Sequence, residues 1–158
     1  MAQSEFSKHC RKVATTDAAG QPNGWLVELY SEHDGFTEGL RGQVYATIIA
    51  PHTAKGFHVH AKAFGHFTCL VGFVRSVVVN RDGDRRQMQL DPENLRTVKV
   101  WPGEAHCLFN ESDVPATIIN FRTPAWSPND PEQLTIAPEV IDDPAARARI
   151  EQFLTTNG

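Results

Sequence analysis

From Trp25 to Phe121 the chain is a succession of short apolar or alternating runs, each closed by Gly, Pro, Asn or Asp, and that pattern confines it to an all-β fold. Trp25-Leu-Val-Glu-Leu-Tyr30 follows a Pro22-Asn23-Gly24 turn, and the β-branched run Val44-Tyr-Ala-Thr-Ile-Ile49 ends just before Pro51. Phe57-His-Val-His60 alternates strictly, so His58 and His60 share one face of a strand. Phe67–Val71 and Phe73–Val79 are separated by Gly72, and Asp82-Gly83 has the composition of a hairpin turn. Met88–Leu90, Leu95–Trp101, His106–Phe109 and Ala116–Phe121 complete the set. Turn signals recur about every eight to twelve residues, the spacing of a barrel or sandwich.

The ends differ. Residues 1–20 are polar and weakly patterned and are expected to form a short N-terminal arm. Residues 21–141 carry the β pattern. Residues 142–158 read as a helix packed on it, with Asp143 as N-cap, Pro144 at the first helical position, and Ala146, Ile150, Phe153 and Leu154 on one face. Pro124–Pro138 holds four of the ten prolines and is expected to be an ordered loop crossing the barrel.

A chain of 158 residues fits one domain with a full core. Its net charge of −4 offers no general attraction for nucleic acid or an anionic membrane. Arg81-Asp-Gly-Asp-Arg85-Arg86 is broken by acids and reads as a solvated hairpin tip. Cys10, Cys69 and Cys107 form no CxxC pair, so a disulfide framework is not needed and a reducing cytoplasmic setting is expected. No apolar run approaches the roughly 18 residues that span a bilayer, and the N-terminus lacks the apolar stretch of a signal peptide.

Five of the seven histidines lie between positions 52 and 106. His66 follows the HxH pair after a turn, and His106 follows Pro102-Gly103-Glu104-Ala105, a tight entry into a strand. Neutral imidazoles gathered this way can transfer protons, or His58, His60 and His106 can ligate Fe or Zn; a single strand histidine can also be a hydrogen-bonded core residue. Cys69 sits in an apolar run and reads as core, and Cys107 should face away from its neighbour His106.

Gly56-Phe-His58-Val-His60 with Gly72, and Pro102-Gly103-Glu-Ala-His106-Cys-Leu-Phe-Asn110, resemble the two motifs of the cupin superfamily. The resemblance implies a jelly roll, or double-stranded β-helix barrel, with inward histidines and a turn supported by Asn110. Metal-holding cupins usually carry Glu four or five residues after HxH; here those positions are Phe64 and Gly65.

Further motifs resemble cupins that act on dTDP-4-keto-6-deoxy sugars. Asn23-Gly24-Trp25-Leu-Val-Glu28-Leu-Tyr30, Leu90-Asp-Pro-Glu-Asn94 and Phe121-Arg-Thr-Pro-Ala-Trp126-Ser-Pro128 are similar to segments of 3,5-epimerases, while Lys55-Gly-Phe-His58-Val-His60-Ala-Lys62 is nearer to the 3,4-ketoisomerases. The resemblance implies a sugar-nucleotide epimerase or ketoisomerase that needs no cofactor and moves a proton beside the 4-keto group. His58 would be the base and His60 a shuttle. His66 would face the enolate oxygen, and His106 would orient base or substrate. Trp126 would stack on sugar or nucleobase, Arg41, Lys55 and Arg122 (with Lys62) would meet the pyrophosphate, and Asn120 stands where the epimerases carry their acidic Tyr. Tyr30 and Tyr45 lie far from that segment in sequence, so the acid is left unassigned. The carboxylate behind His58 is also missing, with Asp142 and Asp143 as the nearest candidates. A three-His metal cupin (dioxygenase or lyase) and a non-catalytic ligand-binding cupin remain open alternatives. Dimerisation through open sheet edges, with exchange of the arm, is the expected assembly.

Overall fold

The computed structural model describes residues 10–33, 41–130 and 132–158. Among these residues eleven strands form two antiparallel sheets. They are β1 (Arg11–Thr16), β2 (Pro22–Ser31), β3 (Gln43–Ile49), β4 (Thr53–His60), β5 (Phe64–Val71), β6 (Val74–Val79), β7 (Arg85–Leu90), β8 (Thr97–Val100), β9 (Ala105–Asn110), β10 (Ala116–Thr123) and β11 (Gln133–Thr135). One sheet runs β1-β2-β3-β10-β5-β8, the other β11-β4-β9-β6-β7. The non-consecutive neighbours make this a jelly roll, and the short helix α1 (Pro144–Asn157) closes the chain.

Alternation along the strands divides the apolar side chains into two cores. Ile49, Phe67, Cys69, Val78, Leu108 and Ile118 pack between the sheets. Phe57, Val59, Val77, Val79, Ala105 and Cys107 point the other way, out of the second sheet, and are covered by Ile136, Ile141, Ala146 and Leu154. Helix α1 thus serves as a lid over the back of the sheet whose front carries the histidines. Asp143 takes the N-cap backbone position, but its side chain makes no capping bond.

Two elements differ from the sequence reading. Arg11–Thr16, expected to belong to an arm, is the edge strand β1, paired in register with β2 from Arg11↔Glu28 to Thr15↔Gly24. Its exposed polar residues conceal the pattern because an edge strand need bury little of either face. The proline-rich segment contains β11, which pairs Gln133 with His60 and Thr135 with His58. No described helix is long and apolar enough to cross a membrane.

Candidate functional site

Strand β4 gains its position from a glycine. Gly56 has φ +122°, and a Cβ there would lie 2.3 Å from the His106 carbonyl oxygen, so only hydrogen lets β4 approach β9 this closely. The β4–β9 ladder shifts register between Lys55 and His58 and then sets His58 opposite His106. The Pro102-Gly103 turn closes the same corner, its Gly103 N–H donating to the His60 carbonyl at 2.7 Å. Asn110 ties the far end of β9, its amide nitrogen donating to Ile49, Ala50 and Val114 carbonyls and its oxygen accepting from Ser112.

These constraints aim three imidazoles into a cavity of about 280 Å³ between the sheets, lined by His58, His60, His106, Lys55, Tyr45, Asn120 and Phe67 among others. The His60 and His106 rings stack with centroids 5.4 Å apart, and His58 meets His106 edge-on at 5.8 Å. Burial, then the neighbouring His60 and Lys55, pull His58 down to about 4. Burial and the charges of His60 and His58 hold His106 well below the ordinary histidine value. Both rings are therefore neutral at neutral pH and able to accept a proton.

A carboxylate does stand behind this cluster, but behind His60. Glu132 is 3% exposed, and its Oε1 lies 3.1 Å from His60 Nδ1. Its Oε2 accepts the backbone N–H groups of Lys62 at 3.0 Å and Ala63 at 3.3 Å. Arg122 donates to Oε1 through Nη2, and its Nε donates to the Pro124 carbonyl at 3.1 Å. Burial alone would raise the Glu132 carboxyl; the bonds from His60 and Lys62 with the charges of His60 and Arg122 outweigh it and hold it down to about 2. Asp142 pairs instead with Arg85 at the surface, and Asp143 stands at the N-cap position of α1. The His58 side chain makes no hydrogen bond to a described residue. Glu132 escaped the sequence reading because it lies 72 positions from His60 and nothing local ties the two together.

The opposite wall carries the second residue that the sequence reading missed. Asn120, which occupies the expected Tyr position, is cross-strand neighbour to Tyr45 on β3 and donates its amide to the Tyr45 hydroxyl. Far apart in sequence, the two are adjacent in space, and Tyr45 reaches the cavity from the sheet facing the histidines. Burial raises the Tyr45 phenol, opposed by Arg122 and the Asn120 bond. Because Asn120 donates, the Tyr45 proton is left free, and a phenolate formed there would be stabilised.

Lys55 is buried in the same cavity, its Nζ donating to Thr15 Oγ1 at 2.7 Å and the Trp25 carbonyl at 3.1 Å; burial lowers it to about 8. A second cavity of about 240 Å³ adjoins the first through the shared residues Leu26, Tyr45 and Gln133, and Arg11, Glu28, Arg122 and Trp126 line this vestibule. The 38% exposed Trp126 is therefore at the mouth and not beside the histidines.

Other expected residues lie elsewhere. His66 is adjacent to the inward Phe67 on β5, so its ring points out of the sandwich, against Phe121 at 5.7 Å; it cannot reach an enolate in the cavity. Arg41 is exposed and lines neither cavity. Lys62 pairs at the surface with Asp130. Cys107 faces the outer core and Cys69 the inner one, as alternation required.

Among the described residues no group of three or more His, Cys, Asp or Glu side chains is arranged to hold a metal ion.

No protein-family model and no curated protein matches the sequence. Solved structures do match. CapF from Staphylococcus aureus, a capsular polysaccharide assembling protein, aligns with TM-score 0.67 and 22% identity over 84% of this chain, which spans 33% of that one. A dTDP sugar isomerase from Desulfovibrio desulfuricans G20 aligns with TM-score 0.60 and 20% identity over 89% of this chain and 88% of the other. NovW, a 4-keto-6-deoxy sugar epimerase from the novobiocin cluster of Streptomyces spheroides, aligns with TM-score 0.55 and 18% identity over 87% and 79%. At 22% identity or less these likenesses show the fold, a cupin-like jelly roll.

Proposed function

We propose that this chain is a sugar-nucleotide isomerase, an epimerase or ketoisomerase that moves a proton beside the 4-keto group of a dTDP-deoxysugar without a metal. The observation that carries the reading is a cavity with neutral imidazoles on one wall and a tyrosine hydroxyl on the other. Sheets packed face to face stand about 10 Å apart, so a sugar ring held between them presents one face to each wall.

The base role, which the HxH motif suggested for His58, falls better to His60. With Nδ1 committed to Glu132, His60 keeps Nε2 for the cavity. Nε2 takes the proton from the carbon beside the ketone, and the electron pair of the C–H bond passes into the enolate with its charge on oxygen. The Lys55 ammonium, which lines the same cavity, receives the charge on that oxygen. Return of the proton from His60 to the former carbonyl carbon gives the ketoisomer when the hydroxyl proton on the deprotonated carbon passes to the former keto oxygen, so that the new C=O forms as the old one becomes an alcohol. Delivery by Tyr45 to the opposite face of the original carbon inverts that centre, the His60 proton then leaving to solvent and the Tyr45 phenolate regaining one. His58, neutral beside His60, serves as the relay.

The test is incubation with dTDP-4-keto-6-deoxyglucose in D2O. Deuterium should enter C3 or C5, and His60→Asn should abolish its entry. Tight binding without exchange in the wild-type protein would leave a ligand-binding cupin instead.

A further inference from the structure

We propose that Arg122 couples the vestibule to the base: a diphosphate bound in the vestibule takes over the guanidinium that otherwise neutralises Glu132, and so prepares His60 to accept a proton. The proposal rests on the reading of the site given above.

The geometry is that of one cation between two compartments. Arg122 is 5% exposed, and through Nη2 it meets the Glu132 oxygen that lies against His60 Nδ1. The same side chain lines the vestibule, and its Nη1 makes no hydrogen bond to a described residue. A guanidinium presents five N–H donors in a flat fork, so an edge left over after Glu132 and Pro124 matches two phosphate oxygens. Among the described residues, the vestibule holds two guanidiniums, Arg11 and Arg122, against one carboxylate, Glu28, which accepts from Gln43. Trp126 at its mouth supplies a flat face for a nucleobase.

With the vestibule empty of anion, Arg122 balances Glu132, and the carboxylate has little charge to spare. An anion that engages Nη1 shares the guanidinium charge. The Glu132 carboxylate then offsets the imidazolium that forms when Nε2 of His60 takes the proton. Glu132 stays in place because the Lys62 and Ala63 N–H groups hold its other oxygen. Arg122 is in this scheme a positioning residue, and the remote binding energy of the diphosphate is spent on the chemical step and not on affinity alone.

The experiment separates the diphosphate from the sugar. Deuterium exchange into nucleotide-free 4-keto-6-deoxyglucose is measured with and without saturating inorganic pyrophosphate, at saturating sugar. Pyrophosphate should accelerate exchange at least tenfold in the wild-type protein and less than twofold in Arg122→Lys or Arg122→Met. Arg11→Ala should weaken pyrophosphate binding but leave the maximal acceleration unchanged. In parallel, the imidazole ¹⁵N signals of His60 should shift on pyrophosphate addition. Exchange that pyrophosphate binds without accelerating overturns the coupling and leaves the isomerase reading standing. Absence of exchange with dTDP-4-keto-6-deoxyglucose removes that reading instead, and unmoved His60 signals at saturating pyrophosphate overturn the coupling whatever the activity.

Discussion

Lowering the pH from 7 to 4.5 should destabilise the protein through the buried histidines His58 and His106. The His58 imidazole has an ordinary value of 6.5 and is held at about 4 in the fold, burial being the largest cause. The folded state therefore rejects a proton that the unfolded chain accepts. The stabilising contribution is complete above pH 6.5, declines as pH falls through the window down to about 4, and is gone below it. At about 1.36 kcal/mol for each tenfold difference in proton affinity, His58 alone accounts for up to about 3 kcal/mol. His106 is shifted the same way and adds to the slope. Domains of this kind are stable by roughly 5–15 kcal/mol, so the loss is a large fraction of the total. Glu132, whose carboxyl is held at about 2 against an ordinary 4.5, contributes stability present above 4.5 and lost below it, a separate window. Urea unfolding at pH 7, 6, 5 and 4.5 reads the effect, with an expected fall in midpoint on the order of 1–2 M. His58→Gln should flatten the curve by the share that residue 58 contributes, with His106 supplying the slope that remains. An unchanged slope in this variant would refute the claim that desolvation of residue 58 sets the acid sensitivity.

Tyr45→Phe should lower exchange or turnover about 100- to 1,000-fold at the step it serves while the melting temperature stays within a few degrees, measured by deuterium incorporation and circular dichroism. Gly56→Ala places a methyl 2.3 Å from the His106 carbonyl in a left-handed conformation, and should cost about 3 kcal/mol or more in urea unfolding. Leu154→Ala opens the 5% exposed contact of α1 with the outer core, and should cost about 2–5 kcal/mol with the cavity histidines still titrating as before. Dialysis against a strong chelator should leave exchange unchanged; a loss restored by one equivalent of iron or zinc would reinstate the three-histidine metal alternative.

Most strands were legible along the chain because turn residues and period-two alternation are local. HxH fixed the shared face of His58 and His60, and the Pro-Gly turn fixed the entry of His106. What escaped depends on register between distant strands. Tyr45 and Asn120 are paired only because β3 and β10 lie side by side with Val44 opposite Phe121, and no short motif encodes that alignment. Glu132 escaped for the same reason, and β1 because an exposed edge strand buries too little to alternate. His66 was misplaced by proximity in sequence. One position along a strand reverses a side chain, and Phe67 took the inward place.

The residues that make the cavity useful are those the fold accommodates least comfortably. Burying Lys55 lowers its ammonium to about 8, and burying His58 lowers its imidazole to about 4; both shifts measure a charged form that the interior disfavours. A core built for stability alone would place apolar side chains there, as it does a few ångströms away at Phe67 and Leu108. The same desolvation keeps the imidazoles neutral at the pH where a base is wanted, and it strengthens every electrostatic contact to an enolate formed between the sheets. Tyr45 and Lys55 extend that logic to the opposite wall and to the oxygen. Glu132 stands apart from them, because a carboxylate carrying four hydrogen bonds is well satisfied where it lies. Its place behind one imidazole of three distinguishes His60 from its neighbours, a distinction that the symmetrical HxH motif does not contain.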